Sequence, residues 1–561
     1  DSLGNVISNN QTRQVSGDLN FETLYNKSNF LRKINRGNSG SRSRIGSSRG
    51  GGGGPATRGG KDDDKGKSGE PSAIAKALIR PLMMLRKARL TVSEDFSTIV
   101  PGFMPRSSLM GLSSGFNAPG WDFVAGWQPD IAPGQNDWLR RAADQGWMTE
   151  SYFLSQEVLQ NYSQTIDARI TIEPITDFRV ELSANKQYTD NLTLSFRDSV
   201  LDNYVDPSEI VHMNPRENGS FTVSYNMLNT LFGENPEILF KRFEANRVII
   251  SRRLGDIGIP HQDPEQAALG FTDGFGALSQ DVLIPAFLAT YTGQDPNTFP
   301  LISGKSDFKS LLPKLNWQVS YNGLARLPGM DKIFSGFNLT HGYRSTMTIN
   351  DFQTNGQGVF APANSLNDNF DFFSAYVIPN IQITEQFAPL IGLDVKLQNE
   401  MSIRLDMQRG RNLALSFVDY KLVETQRTNY VFGFGYVLKD FSLPFLETER
   451  SRRARARQQQ QNNNNNPNDP TQQDRTKDLN IQIDFSFGDD RTLVHLIDQD
   501  GAPQDTRGAR RITFSPSAEY DLNDQLSLRF FLDYNRSVPY VSNAFPITNW
   551  RSGINVRFRL N

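Results

Sequence analysis

The final segment, Trp550–Asn561, constrains what this chain can fold into more than any other stretch. Ile554, Val556, Phe558 and Leu560 alternate there with Asn555, Arg557, Arg559 and Asn561. Successive side chains of a strand point to opposite faces, so one face is wholly apolar and the other wholly polar. A stretch of about 10 residues at roughly 3.3 Å each, tilted near 45°, spans most of a thin hydrocarbon layer. Ile554, Val556, Phe558 and Leu560 are therefore the expected lipid-facing stripe of a terminal strand. Membrane barrels finish on such a strand, usually with an aromatic near its end; here Leu560 and Asn561 follow Phe558.

A soluble sandwich could contain one such strand, so recurrence decides. Ile166, Ala168, Ile170 and Ile172 form one stripe, and Phe178, Val180, Leu182 and Ala184 the next, across Pro174–Asp177. Leu315, Trp317, Val319 and Tyr321 precede Phe337, Leu339 and Tyr343 across Pro328-Gly329. Ile391–Leu397 and Met401–Met407 pair across Gln398–Glu400. Tyr430, Phe432, Phe434 and Tyr436 interleave with Gly433 and Gly435, and Leu479–Phe487 continues the series. Ser517–Tyr520 and Leu526–Tyr534 flank the turn-rich Asp521–Asp524. Alternation predicts roughly 14 strands of an antiparallel transmembrane β-barrel segment, an all-β membrane fold with helical extracellular insertions.

Composition fits this class. Hydrophobic residues make up 37% of the 561 positions, and mean hydropathy is −0.49. A helical span needs about 20 nearly continuous apolar residues. The nearest candidate, Ser72–Leu85, is shorter and contains Lys76, Arg80 and Pro81. Barrel strands need no such run, because lipid-facing and lumen-facing residues alternate. There is no cysteine, which removes disulfides and thiolate metal sites, and the net charge of −2 gives no basic field for nucleic acid.

Parity orders the connections. If the last strand runs towards the periplasm, then Asp521–Asp524, Gln398–Glu400, Pro328-Gly329 and Pro174–Asp177 all fall on the periplasmic side, where barrel turns are short. Residues 87–561 are then barrel, with extracellular insertions over about residues 98–163, 227–313 and 350–372. Asn235–Leu254 has helical spacing, and the insertions are expected to cap a pore. Residues 1–86 read as a periplasmic segment, with a short amphipathic helix over Asn20–Arg32, a Gly-rich linker over Gly40–Gly54 and a charged run over Lys61–Lys65. A disordered periplasmic loop is expected over about residues 450–476, where an Arg cluster precedes Gln and Asn tracts. The chain starts at Asp1 without a visible signal peptide, which suggests a portion of a larger protein.

No catalytic constellation stands out. His212, His261, His341 and His495 lack the partner spacing of a metalloprotease, and Gly50–Gly54 lacks the Gly-Lys-Ser/Thr ending of a phosphate loop. Acidic Glu181, Asp394 and Asp406 with basic Arg179 and Arg404 are placed to line a hydrated lumen. The expectation is a protein without enzymatic activity, cofactor or metal.

Longer words of sequence carry a family resemblance. They are Gln14–Phe21 with Leu24–Lys27, Val100–Phe103, Gly120–Pro129, Met213-Asn214 through Ser220–Thr222, and Phe387–Gly392. Through them the chain resembles the C-terminal portion of the SprA (Sov) family, the outer-membrane translocons of the type 9 secretion system of Bacteroidetes. Outside the Gly-rich and Gln/Asn-rich tracts the likeness covers essentially the whole chain, but its words name no functional residues. It implies a single very large barrel, of about 36 strands, that exports folded cargo carrying C-terminal sorting signals and hydrolyses no nucleotide. It also implies partners: the N-terminal remainder of the same barrel, a PorV-like outer-membrane shuttle protein, a periplasmic plug protein, the secreted cargo and the lipid bilayer. A TonB-dependent nutrient receptor and a surface motility or adhesion scaffold are the alternative readings.

Overall fold

The computed structural model describes residues 3–35, 79, 83–134, 137–198, 210–232, 235–256, 258–302, 304–356, 365–439, 441, 478–497, 504–522, 525–541 and 543–558. The Gly-rich tract, the charged run, the loop over 450–476 and Leu560 lie outside them.

The strands, in chain order, are β1 (Asn5–Asn20), β2 (Leu85–Phe103), β3 (Ser107–Leu109), β4 (Leu112–Ser113), β5 (Val158–Ile175), β6 (Phe178–Asp198), β7 (Ile210–Ser224), β8 (Asn316–Tyr321) and β9 (Phe334–Thr354). They continue as β10 (Tyr376–Val377), β11 (Asn380–Leu397), β12 (Met401–Ser416), β13 (Lys421–Leu438), β14 (Leu479–Leu496), β15 (Gln504–Asp521), β16 (Leu526–Pro539) and β17 (Ile547–Phe558). All but the small β3–β4 pair belong to one 15-stranded sheet, ordered β1-β2-β5-β6-β7-β9-β11-β12-β13-β14-β15-β16-β17, with β8 and β10 off that path. Every pairing in that sheet is antiparallel. The fold is therefore the all-β, antiparallel barrel-wall class. Among the described residues no helix is long and apolar enough to cross a membrane.

The expected short turns join β5 to β6, β11 to β12, β15 to β16 and, beyond a single 3₁₀ turn, β8 to β9, all at one end of the sheet. Asp177 and Glu400 take the left-handed conformation that tight turns need, at φ 65° in both.

Several boundaries differ from the sequence reading. Residues 1–86 are not only linker and helix, because β1 is a sheet strand paired with β2 along its length. Its alternation is faint because Asn9, Gln11 and Arg13 break the apolar register. The expected helix is present as Phe21–Lys27 and Asn29–Asn35, capped where the Asn20 side chain accepts from Thr23 N–H at 3.1 Å. The first insertion is narrower than 98–163, since β2 runs on to Phe103 and β5 starts at Val158.

Strands of 18–21 residues at β5, β6, β9 and β11 are about 60–70 Å long, well beyond an apolar band of about 25 Å. The insertion over 227–313 does not join strand ends. β7 stops at Ser224 partway along β6, and β8 resumes at Asn316 in the same slot between β6 and β9. Lys314 N–H donates to Ser224 O at 2.7 Å and ties the gap. The insertion thus leaves the wall at mid-height.

Candidate functional site

Register assigns every side chain to one of two faces, because directly paired residues share a side. One face carries Arg169, Glu181, Gln318, Arg344, Asp394, Arg404, Arg427, Asp484, Asp490, Arg511 and Arg557 across neighbouring strands. It is polar along the whole strand length. Arg179 and Glu181 form an ion pair, Arg404 faces Asp394 at 3.9 Å, and Arg427 and Arg511 share Asp490 at 2.8 and 3.3 Å. Asp406 lies on this face, opposite Gly392. The lumen-lining residues expected from sequence thus fall on a common surface. It contains concavities of about 430 Å³ beside Arg169, Glu181 and Arg344, and about 880 Å³ beside Asp394, Arg404 and Asp484. Gly433 and Gly435 open the larger one: a Cβ on Gly435 would come within 2.5 Å of Ser402 Oγ. The aromatics interleaved with these glycines point the other way.

That other face changes character along its height. Towards the short turns it is apolar and bare: Leu90, Leu339, Leu405, Phe432, Phe485 and Phe530 are large exposed hydrophobics. Ile554, Val556 and Phe558 belong to it, paired with Phe530, Leu528 and Leu526. Trp550 continues the stripe and packs against Tyr534 at 4.7 Å.

Above this band the same face is covered. The helix Gln280–Thr292 is buried along almost its whole length. With Pro236–Leu254 it packs on Tyr188, Phe221, Met347, Ile383, Leu413 and Leu422 of the wall. The first insertion docks alike on Val100, Val158, Leu194 and Phe196. There Asn9 Nδ2 donates to Phe123 O at 2.7 Å and Trp127 O at 2.8 Å. The insertions were expected to cap a pore. Their wall contacts lie on the apolar face, the one that offers area whose burial is favourable.

A buried polar seam fixes the base of the larger insertion, and the sequence reading missed it. Arg411 pairs with Glu385 and donates to Thr230 O at 3.2 Å and Thr230 Oγ1 at 2.8 Å. Tyr343 Oη donates to Glu385 at 3.0 Å and accepts from Met227 N–H at 3.3 Å. The available signal was Glu385 and Arg411 interrupting otherwise apolar stripes on β11 and β12. Burial pushes the Tyr291 phenol of the covering helix well up, reinforced by Glu424 and opposed by Arg411.

The histidines do not converge. His212 lies 3.4 Å from Asp137, His261 lies 3.5 Å from Asp371, His341 meets Leu390 O at 2.6 Å, and His495 stacks on Phe240 at 4.5 Å. Burial raises the Asp371 carboxyl despite the Gly276 N–H and His261 beside it. Among the described residues no group of three or more His, Cys, Asp or Glu could hold a metal ion.

No family model matches this chain, and no curated protein matches it. Among solved structures it is similar to a RagAB peptide transporter, at 8% identity over 84% of this chain and 45% of that one, with a TM-score of 0.23. It is also similar to the ferric-catecholate import receptor Fiu of E. coli K12, at 10% identity over 81% of this chain and 56% of that one, with a TM-score of 0.18. The chain thus spans about half the length of these structures.

Proposed function

We propose that this chain is part of the wall of an outer-membrane, protein-conducting translocon of the SprA/Sov kind. The observation that carries the reading is the division of labour between the faces. One is polar from end to end, while the other bears a bare apolar band and, above it, both docked insertions. A wall in lipid with a hydrated interior requires this arrangement. On this reading the short-turn end is periplasmic and the insertion-bearing end extracellular.

The edges support a larger assembly. β1 and β17 each have a strand neighbour on one side only among the described residues. Unpaired backbone groups in lipid cost several kcal/mol each, so further strands complete the wall: the remainder of the same barrel. The family resemblance supplies the other partners, a PorV-like outer-membrane shuttle protein, a periplasmic plug protein and secreted cargo. The wall acts passively, as a conduit for folded cargo with C-terminal sorting signals.

Deleting the gene tests this. Cargo bearing sorting signals should disappear from the cell surface and collect in the periplasm. Intact export together with loss of a single nutrient's uptake would instead establish a receptor.

A further inference from the structure

The two insertions stop at different heights above the bare apolar band. The first grips the wall through Gln128, whose side chain accepts from Thr98 Oγ1 at 2.6 Å and donates to Asn9 Oδ1 at 2.8 Å. Thr98 stands about 20 Å along β2 from Val92, and the polar row Arg13–Glu94–Gln164 crosses the face between them. Phe153 of this insertion is exposed, but its neighbour Tyr152 packs under Arg197 near the far end of β6.

The larger insertion comes down one row below the Glu385–Arg411 seam. That row runs Trp317–Tyr343–Phe387–Arg409 across β8, β9, β11 and β12. On the departing leg, Phe232 packs on Phe387 at 5.3 Å, and the guanidinium carbon of Arg409 lies 4.9 Å from its ring centroid. Arg409 also donates to Leu231 O at 3.0 Å, yet Phe232 stays 47% exposed. The next row down, Ile391–Met407–Tyr430, already belongs to the bare band, with Ile391 and Tyr430 exposed. The returning leg, tied to Ser224 at Lys314, carries Leu312 and Leu315 at 74% and 49% exposure, and Leu315 directly precedes β8. Single exposed hydrophobics need no explanation. Here they stand on both legs of one insertion, at the edge of the band and at the height of Trp317 and Tyr343.

We infer that Phe232, Leu312 and Leu315 enter the interfacial layer of the leaflet at the insertion-bearing end, so that the larger insertion rests on the bilayer with both legs while the first stands clear of it. This inference rests on the membrane reading proposed above. Apolar and aromatic side chains leave water in that layer, where Trp and Tyr also settle. Arg409 and Lys314 suit the same depth, because their stems lie along apolar surface while their charged ends reach the headgroups. The contact gives the bilayer a hold on the larger insertion that the first one lacks.

The chain contains no cysteine, so single cysteines introduced into it can carry a fluorophore, with the unsubstituted protein giving the labelling background. The full chain, with whatever strands complete its wall, is reconstituted into phosphatidylcholine vesicles bearing a nitroxide either near the headgroup or near the acyl chain end. Phe232→Cys and Leu312→Cys should be quenched about twofold more by the shallow nitroxide than by the deep one, as for side chains about 5–10 Å into the headgroup boundary. Phe432→Cys, inside the band, should show the reverse order, and Phe153→Cys should escape both. Leu312 is the more exposed of the two leg positions, so its variant keeps the test open if Phe232→Cys does not fold. Failure of the shallow nitroxide to quench either folded leg variant overturns the inference, including the case in which a protein partner shields it. Equal quenching at Phe153 overturns it too, by removing the difference between the insertions. If Phe432→Cys itself goes unquenched, the membrane reading falls.

Discussion

On β14, Phe485 and Leu493 share a face and differ in everything that surrounds them. Phe485 is 38% exposed and Leu493 is 2% exposed. The same contrast separates Phe432 from Leu422 on β13, at 38% and 0%. One apolar stripe thus serves two environments. Its lower part has no protein partner among the described residues, whereas its upper part is the floor of an insertion core. Alternation records that a side chain leaves water, and it does not record what receives it. The boundary is marked by residues that neither lipid nor a dry core accepts alone: Arg13, Glu94, Lys186, Glu385 and Arg411 cross the face at similar height.

The contrast breaks most readily at that boundary. Arg411→Ala leaves Glu385 buried without its ion partner, which costs about 3–5 kcal/mol. Hydrogen exchange should then rise across the insertion helices Pro236–Leu254 and Gln280–Thr292 while the lower wall stays protected. Equal loosening of both parts would mean that they are not separate environments. Joint replacement, Glu385→Gln with Arg411→Met, should cost less than either single change to Ala, because no uncompensated charge remains.

A charge placed in the band sharpens the comparison next. Phe432→Arg should destabilise the membrane-inserted wall by about 2–4 kcal/mol, whereas Asn429→Arg on the polar face should cost little. Denaturant unfolding in lipid vesicles reads the difference, and equal costs would remove the distinction between the faces. The smallest effect is expected on the polar face itself. Arg404 and Asp394 are 3.9 Å apart and more than half exposed, so Arg404→Gln should change stability by less than about 1 kcal/mol. It should be visible instead in the ion selectivity of the reconstituted pore.

Legibility followed the same division. The stripes at Ile166–Ile172, Ile391–Leu397 and Tyr430–Tyr436 read as strands because large apolar or aromatic residues recur at every second position without interruption, alternating with polar or small ones. β1 was missed because Asn9 and Arg13 sit on its apolar face. Asn9 is there to hold the backbone of the first insertion, a contact 114 residues away along the chain. The Arg411–Glu385 seam was equally hidden, since Thr230 and Tyr343 approach from distant segments.

By itself, then, the sequence determined the two-faced antiparallel wall, its short turns at one end, and the placement of Ile554, Val556 and Phe558 on the apolar side. Those features depend on a period of two residues and on local turn chemistry, which neighbouring positions encode directly. Only the tertiary structure decided that β7 and β8 share one slot, and that the insertions pack on the apolar face of the wall. It alone decided where the bare band stops. These features depend on which surfaces meet at long range, and burial is a property of the meeting surfaces rather than of either segment's pattern.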